Sequence, residues 1–140
     1  VQPDRAYFGQ KDAQQLLIVQ RMVEDLNLGA EIVAVPTVRE ADGLAFSSRN
    51  SQLTPESRVA ALGLYAALQK ANRLSRAGET NAEVMKEAMR IEMESRGATV
   101  DYVSISKAKT LEELAVVEGG ALALVAGFVS GTRLIDNLAL

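Results

Sequence analysis

The chain has 140 residues, an apolar share of 48% and a net charge of −3. A chain of this length forms one ordinary domain or two small ones with a buried core, and its slightly acidic balance gives no reason to expect a nucleic acid or an anionic membrane as partner. It contains no cysteine and no histidine, which excludes a disulfide framework, a thiol nucleophile, the usual zinc sites and a Ser-His-Asp triad.

The remaining polar side chains are lysines, arginines, carboxylates, amides and hydroxyls. This set is suited to binding phosphates and stabilising developing charge, and less suited to moving protons near neutral pH. No apolar run is long enough to cross a bilayer and no secretory signal is visible, so we expect a cytoplasmic protein. The first residue is Val1 rather than methionine, which is consistent with a piece of a longer protein.

The first third of the chain has the pattern of a strand, a helix and a second strand. Ala6–Phe8 is the first candidate strand and Ala30–Val35 the second, and the segment between them has an apolar residue every three or four positions. Asp12 is a suitable helix N-cap with Gln15 as its reciprocal partner, and Gly29 is a suitable C-terminal stop. The spacing predicts a βαβ unit with parallel strands.

Two polar loops leave these strands at the same edge of the predicted sheet: Gly9–Asp12 and Pro36–Asn50. Because ligands of such sheets bind outside the carboxyl ends of the strands, the two loops should face one crevice. Lys11 lies just before a helix N-terminus, which favours an anion. Within the second loop, residues 39–50 carry two arginines and two hydroxyls, a set that suits a phosphate.

Each loop also has an ordinary structural interpretation. Asp12 could simply cap its helix while Lys11 serves as a surface charge. The second loop could be a solvated connection between domains. Composition and spacing alone leave both alternatives open.

The rest of the chain predicts two helices. Thr54 is a good N-cap and Pro55 sits at the favoured first helical position, so the longer helix should run from there to about Arg76. Thr80–Glu83 has the pattern of a capping box, and the following helix should stop at Gly97.

Strands follow these helices. Val100–Ile105 is a candidate strand, Thr110–Glu113 can begin one or two helical turns, and Ala121–Val129 with Thr132–Leu138 should form a hairpin. Helices and strands in separate blocks indicate an α+β subdomain. The predicted fold class is therefore α/β plus α+β: a partial Rossmann-like unit over residues 1–50 and an α+β lid subdomain over residues 51–140, with a boundary near Ser51.

Three polar residues in the last strand, Arg133, Asp136 and Asn137, have two interpretations. They could lie near the ligand, or they could form a pairing that holds the subdomain together. We favour the structural interpretation.

Four motifs together resemble one family. They are, in chain order, Phe8-Gly9-Gln10-Lys11-Asp12-Ala13-Gln14-Gln15, Val35-Pro36-Thr37-Val38-Arg39-Glu40, Asp42-Gly43-Leu44-Ala45-Phe46-Ser47-Ser48-Arg49-Asn50 and Thr132-Arg133-Leu134-Ile135-Asp136-Asn137. The chain closely resembles the carboxyl-terminal half of pantothenate synthetase (pantoate–β-alanine ligase). The family's amino-terminal half, with its His-x-Gly-His motif, has no counterpart here.

The resemblance implies an ATP-dependent ligase that adenylates pantoate, releases pyrophosphate and then lets β-alanine displace AMP to give pantothenate. It implies that Lys11, Ser47, Ser48 and Arg49 stabilise charge in the transition state, and that Gln15 binds pantoate. The residues it implies for ATP binding are Gly9, Gln10, Lys11, Asp12, Val38, Phe46, Ser47, Ser48 and Arg49. Phe46 stands where many relatives carry Leu or Met.

The resemblance also sets expectations about partners. Mg²⁺ is expected on the ATP phosphates, although the sequence shows no convincing metal cluster. The complete protein is expected to be a homodimer and the chain alone to be inactive without the amino-terminal half. Another adenylate-forming nucleotidyltransferase and a non-catalytic isolated domain remain the alternatives.

Overall fold

The computed structural model describes residues 2–140, and Val1 lies outside the described residues. The first unit consists of β1 (Arg5–Gly9), α1 (Ala13–Asp25) and β2 (Glu31–Val35). The strands pair in parallel, with Arg5 opposite Glu31 and Gly9 opposite Val35. The predicted βαβ unit is therefore confirmed, and both strands end at the edge where the two polar loops begin.

Helix α1 begins as predicted, with the Asp12 carboxylate accepting a bond from the backbone N–H of Gln15 at 3.1 Å. The predicted stop at Gly29 is wrong, because the helix ends at Asp25 and Leu26 is its C-cap. Asn27 takes the left-handed conformation with φ +49°. Asparagine tolerates that conformation better than most residues, so it ends the helix before the glycine is reached.

The second unit has two helices and an antiparallel sheet. A 3₁₀ turn (Ser48–Gln52) leads into α2 (Pro55–Arg76) and α3 (Ala82–Ser95), and the strands are β3 (Thr99–Lys107), β4 (Ala121–Val129) and β5 (Thr132–Ala139). The strand order is β3-β4-β5, and Ser130 and Gly131 form the predicted hairpin turn with positive φ at both residues. The predicted α+β arrangement is confirmed.

Two local predictions in this unit are wrong. Asn81, rather than Thr80, caps α3 by accepting from the N–H groups of Glu83 and Val84. The segment Thr110–Glu113 forms no helical turn. It folds back along β3. The main-chain N–H of Lys107 donates to the Glu112 carbonyl, and that of Leu114 donates to the Ile105 carbonyl. The backbone bonds offered by the end of β3 outweigh the local helical tendency.

The core lies between the two long helices and one face of the antiparallel sheet. Three methionines of α3, Met85, Met89 and Met93, are fully buried there. Leu44, from the loop after β2, belongs to the same core. The opposite face of the sheet carries Leu122 and Leu124, which pack against Ala13 at the start of α1. The first unit therefore contacts both faces of the antiparallel sheet.

None of the helices among residues 2–140 is long and apolar enough to cross a membrane. The predicted boundary near Ser51 falls inside the 3₁₀ turn, and the division into residues 1–50 and 51–140 stays a prediction.

Candidate functional site

The two polar loops meet at Lys11. Its ammonium group donates to the main-chain carbonyls of Ala45 and Phe46, both at 3.2 Å. Lysine has three N–H donors, so these two bonds leave one more to offer to a ligand. The convergence expected from the parallel strands is present: the end of β1 and the loop after β2 lie against each other through this side chain.

The Lys11 ammonium is partly desolvated and has charges of both signs near it. Burial is the main cause that lowers its pKa below the usual lysine value. Arg49 and Arg39 lower the pKa further by repulsion, while the Asp136 carboxylate opposes them. Lys11 and Arg49 repel each other, and a phosphate added beside them would relieve that repulsion, which makes this a favourable place for an anion.

The trio Ser47, Ser48 and Arg49 forms the start of the 3₁₀ turn. Ser47 is its N-cap, and the Ser47 hydroxyl accepts from the N–H of Arg49 at 3.3 Å. Ser48 and Arg49 are exposed. The Arg49 side chain is therefore open to solvent, and its charge acts on that of Lys11.

Around this trio the loop after β2 folds into a small hairpin. Arg39 and Ala45 form a bridge, and the N–H of Phe46 donates to the Val38 carbonyl at 2.8 Å. Val38 and Phe46 are each 65% exposed. Exposed apolar side chains on neighbouring strands beside a cationic group suit the flat base of a nucleotide.

The first loop is held by main-chain contacts. The N–H of Gln10 donates to the Val35 carbonyl at 2.8 Å, which ties the end of β1 to the end of β2. Gly9 is exposed, and a Cβ on it would meet nothing within 4 Å. Asp12 is occupied as the α1 cap, and Gln15 is exposed on the first turn of that helix.

A charged cluster fixes the second loop on α2. Arg58 donates to Glu40 at 2.6 Å and to Asp42 at 2.7 Å, and the Asn50 amide donates to Glu40 at 2.6 Å. The Asn50 bond, followed by the Arg58 bond, lowers the pKa of Glu40 below the usual range. The hairpin that carries Val38 and Phe46 is thus anchored at its turn.

The prediction for the last strand needs a correction. Arg133 pairs with Asp101 of β3, which is a pairing within the subdomain. Asp136 and Asn137 instead reach the first unit: Asp136 binds Arg39, and the Asn137 amide donates to the carbonyls of Gln10 and Lys11. Asp136 and Asn137 belong to the fourth motif, but neither that motif nor the local sequence around Arg58 indicated these contacts.

The described residues contain no group of three or more carboxylates that could hold a metal ion. A small cavity of about 60 Å³ lies between Lys11, the start of α1 and the antiparallel sheet, and no residue of the second loop lines it.

Comparisons with known proteins decide the family. The model of the family described as "Pantoate-beta-alanine ligase" matches residues 1–139. The chain belongs to the pantoate–β-alanine ligase family. The pantothenate synthetase of Moorella thermoacetica is 55% identical over 141 residues, which is 100% of this chain and 50% of that protein. That of Aquifex aeolicus is 51% identical over 98% of this chain and 49% of that protein.

Solved structures of the family superimpose on the whole fold. The crystal structure of pantothenate synthetase from Thermus thermophilus gives a TM-score of 0.93 at 46% identity and covers 99% of this chain and 50% of that one. The pantoate–β-alanine ligase from Francisella tularensis, complexed with "Beta-gamma ATP and Beta-alanine", gives 0.69 at 28% identity, covering 99% and 44%. The chain spans about half the length of the curated relatives it matches.

Proposed function

We propose that this chain is the carboxyl-terminal half of an ATP-dependent ligase that joins pantoate to β-alanine through a pantoyl adenylate. The observation that carries the proposal is the convergence of Lys11 with the loop of Ser47–Arg49, in a chain that belongs to the ligase family. ATP and β-alanine appear in the structure of the Francisella tularensis relative, which supports the same substrates here.

In the first step, the pantoate carboxylate attacks the α-phosphate of ATP, an acyl–phosphate bond forms and pyrophosphate leaves. The attacking group is already ionised, so this step requires positioning and charge stabilisation rather than a side-chain base. Lys11 and Arg49 would supply positive charge to the phosphoryl oxygens and the leaving pyrophosphate. The hydroxyls of Ser47 and Ser48 would donate to the same oxygens.

The remaining contacts follow from the positions of the side chains. Gly9 would let the nucleotide approach the main chain, Gln10 would present its exposed side chain, and Asp12 at the start of α1 would approach the ribose. Val38 and Phe46 would cover the adenine side. Gln15, exposed on the first turn of α1, would hold pantoate until the β-alanine amine attacks the acyl carbon and AMP leaves.

Mg²⁺ would neutralise charge on the ATP phosphates. Among residues 2–140 no carboxylate cluster suits a metal ion. We therefore derive no step through a metal held by this chain, and Mg²⁺ carried by the nucleotide stays an expectation.

The amino-terminal half is the expected partner in the same polypeptide. Tyr7 and Val35, on the face of the two-stranded sheet away from α1, are 64% and 38% exposed. A groove of about 680 Å³ runs between β1 and α1 and is mostly apolar. Parallel sheets are normally covered on both faces, so these surfaces support contacts with the missing half in the complete protein. A cytoplasmic homodimer remains an expectation for that protein.

The decisive experiment compares the complete protein with the 140-residue chain. Both are incubated with ATP, pantoate and β-alanine, and pyrophosphate, AMP and pantothenate are measured. The complete protein should form all three, and the chain alone should form none because it lacks half of the crevice.

Three other outcomes would change the proposal. Turnover by the highly purified chain would refute the dependence on the other half. Adenylation of other carboxylates in preference to pantoate would indicate a different nucleotidyltransferase. Failure of the complete protein to bind ATP by calorimetry would indicate a non-catalytic domain.

A further inference from the structure

We propose that Asp136 and Asn137, consecutive residues of β5, are positioning residues that set the separation of the two ligand loops, each from its own face of the strand. The proposal deepens the proposed function and rests on it, because it concerns the site in which Lys11 meets Ser47–Arg49. Neither side chain needs to touch the substrate.

Asn137 holds the first loop. Its amide nitrogen donates to the Gln10 carbonyl at 2.7 Å and to the Lys11 carbonyl at 2.9 Å. These bonds use both N–H groups of the amide on successive carbonyls, and Asn137 is only 8% exposed. The orientation of the Lys11 main chain is therefore fixed by a residue 126 positions away in sequence.

Asp136 holds the second loop. Its two carboxylate oxygens accept from Arg39 at 2.6 and 3.0 Å, and Arg39 also donates to the Gly43 carbonyl at 3.1 Å. The Arg39 guanidinium stacks on the Tyr65 ring, 4.1 Å from its centre. Arg39 is thereby held between β5 and α2, and the hairpin that leads to Ser47 starts from it.

The strand geometry explains why neighbours in sequence serve different loops. Successive side chains of a strand point to opposite faces. Asp136 lies opposite Val125 of the main core, whereas Asn137 lies opposite Leu124, which packs against Ala13. The edge strand β5 is thus inserted between the two loops.

The backbone of Asn137 completes this arrangement on the unpaired side of β5. Its N–H donates to the Asp136 carboxylate at 2.8 Å, and its carbonyl accepts from Arg39 at 3.4 Å. At Asn137 the edge groups of β5 are therefore occupied by the same contacts that hold the second loop. Lys11 is then constrained at both ends, by Asn137 at its main chain and by the Ala45 and Phe46 carbonyls at its ammonium.

The test uses the complete ligase with Asn137→Asp and Asn137→Ala, numbered as here. Asn137→Asp is isosteric but turns a double donor into an acceptor that faces two carbonyls. A misplacement of about 1 Å in a reacting constellation costs on the order of a hundredfold in rate. We expect single-turnover release of pyrophosphate to slow by about 10- to 100-fold in Asn137→Asp, with less loss in Asn137→Ala.

Two further measurements distinguish a positioning role of Asn137 in adenylation from a merely structural role. Aminolysis of supplied pantoyl adenylate by β-alanine should change little, because Lys11 acts on the phosphates of the first step. In the double variant Lys11→Ala/Asn137→Asp, adenylation should fall no further than in Lys11→Ala, because a positioning residue acts through the group it positions. Asn27→Asp, an exposed change at the far end of α1, is the matched control and should keep wild-type rates.

Wild-type adenylation in folded Asn137→Asp would overturn the inference while the ligase assignment stands. Losses that multiply in the double variant would also overturn it, since Asn137 would then act independently of Lys11. If Asn137→Asp does not fold, Asn137→Ala is judged by the same double-variant comparison. A wild-type protein that forms no pantothenate would instead refute the proposed function itself.

Discussion

Arg39 and Asp136, separated by 97 positions in the chain, form a two-pronged ion pair with N–O distances of 2.6 and 3.0 Å. The exposed fractions of their side chains are 19% and 4%. The pair joins the loop after β2 to the last strand. Removing one member of a buried pair leaves the other charge uncompensated. A substitution in this pair should therefore lower the free energy of unfolding more than a substitution in one of the exposed ion pairs.

Asp136→Ala should lower the free energy of unfolding of the 140-residue protein by about 3 kcal/mol, since it leaves the Arg39 guanidinium without its partner. Asp101→Ala breaks the ion pair with Arg133 in the same sheet, where both side chains are more than a third exposed. That control should cost less than about 1 kcal/mol. Urea denaturation of both variants gives the comparison, and equal losses would contradict it.

Gly43→Ala should weaken the second loop for two separable reasons. Gly43 has φ +96°, and a Cβ there would lie 2.5 Å from Cδ1 of Tyr65, the ring on which Arg39 stacks. Gly78 has a similar φ of +91° but open space around it, so Gly78→Ala isolates the backbone strain of about 1 kcal/mol. Thermal unfolding should show a clearly larger loss for Gly43→Ala; a loss equal to that of Gly78→Ala would mean that the ring moves aside freely.

Lys11→Ala and Arg49→Ala in the complete protein should each lower the rate of pantoyl adenylate formation by on the order of a hundredfold, because each removes a charge directed at the phosphates in the transition state. Arg73→Ala, an exposed arginine in the last turn of α2, should leave the rate unchanged. Pyrophosphate release in a rapid-quench assay measures the effect. Normal adenylation in either site variant would remove that residue from the mechanism.

The charges around Lys11 can be tested by the direction in which the pKa of Lys11 shifts when each of them is removed. Asp136 raises it and Arg49 lowers it, against a larger lowering by burial. Asp136→Asn should therefore lower the pKa further, and Arg49→Ala should raise it towards the usual lysine value. A bound phosphate favours the charged ammonium and should also raise it. Titration of the Lys11 Nζ resonance by NMR measures all three, and shifts of the same direction in the two variants would contradict the charge arrangement.

The sequence by itself determined most of the local structure and the chemistry of the two loops. Apolar spacing, the Asp12 and Thr54 caps and the Ser130–Gly131 turn fix their elements through neighbours within a few positions. The four motifs indicated the family. Parallel pairing of β1 and β2 was enough to bring Lys11 and the second loop to one edge.

Only the tertiary structure decided which distant groups meet. Asp136 and Asn137 are polar residues in a strand, and their contacts with Arg39 and the Lys11 carbonyl depend on where β5 lies between the loops. The fold-back at Thr110–Glu113 likewise depends on the free bonds at the end of β3. Such contacts are absent from local patterns because their energy comes from groups that are brought together only when the chain is folded.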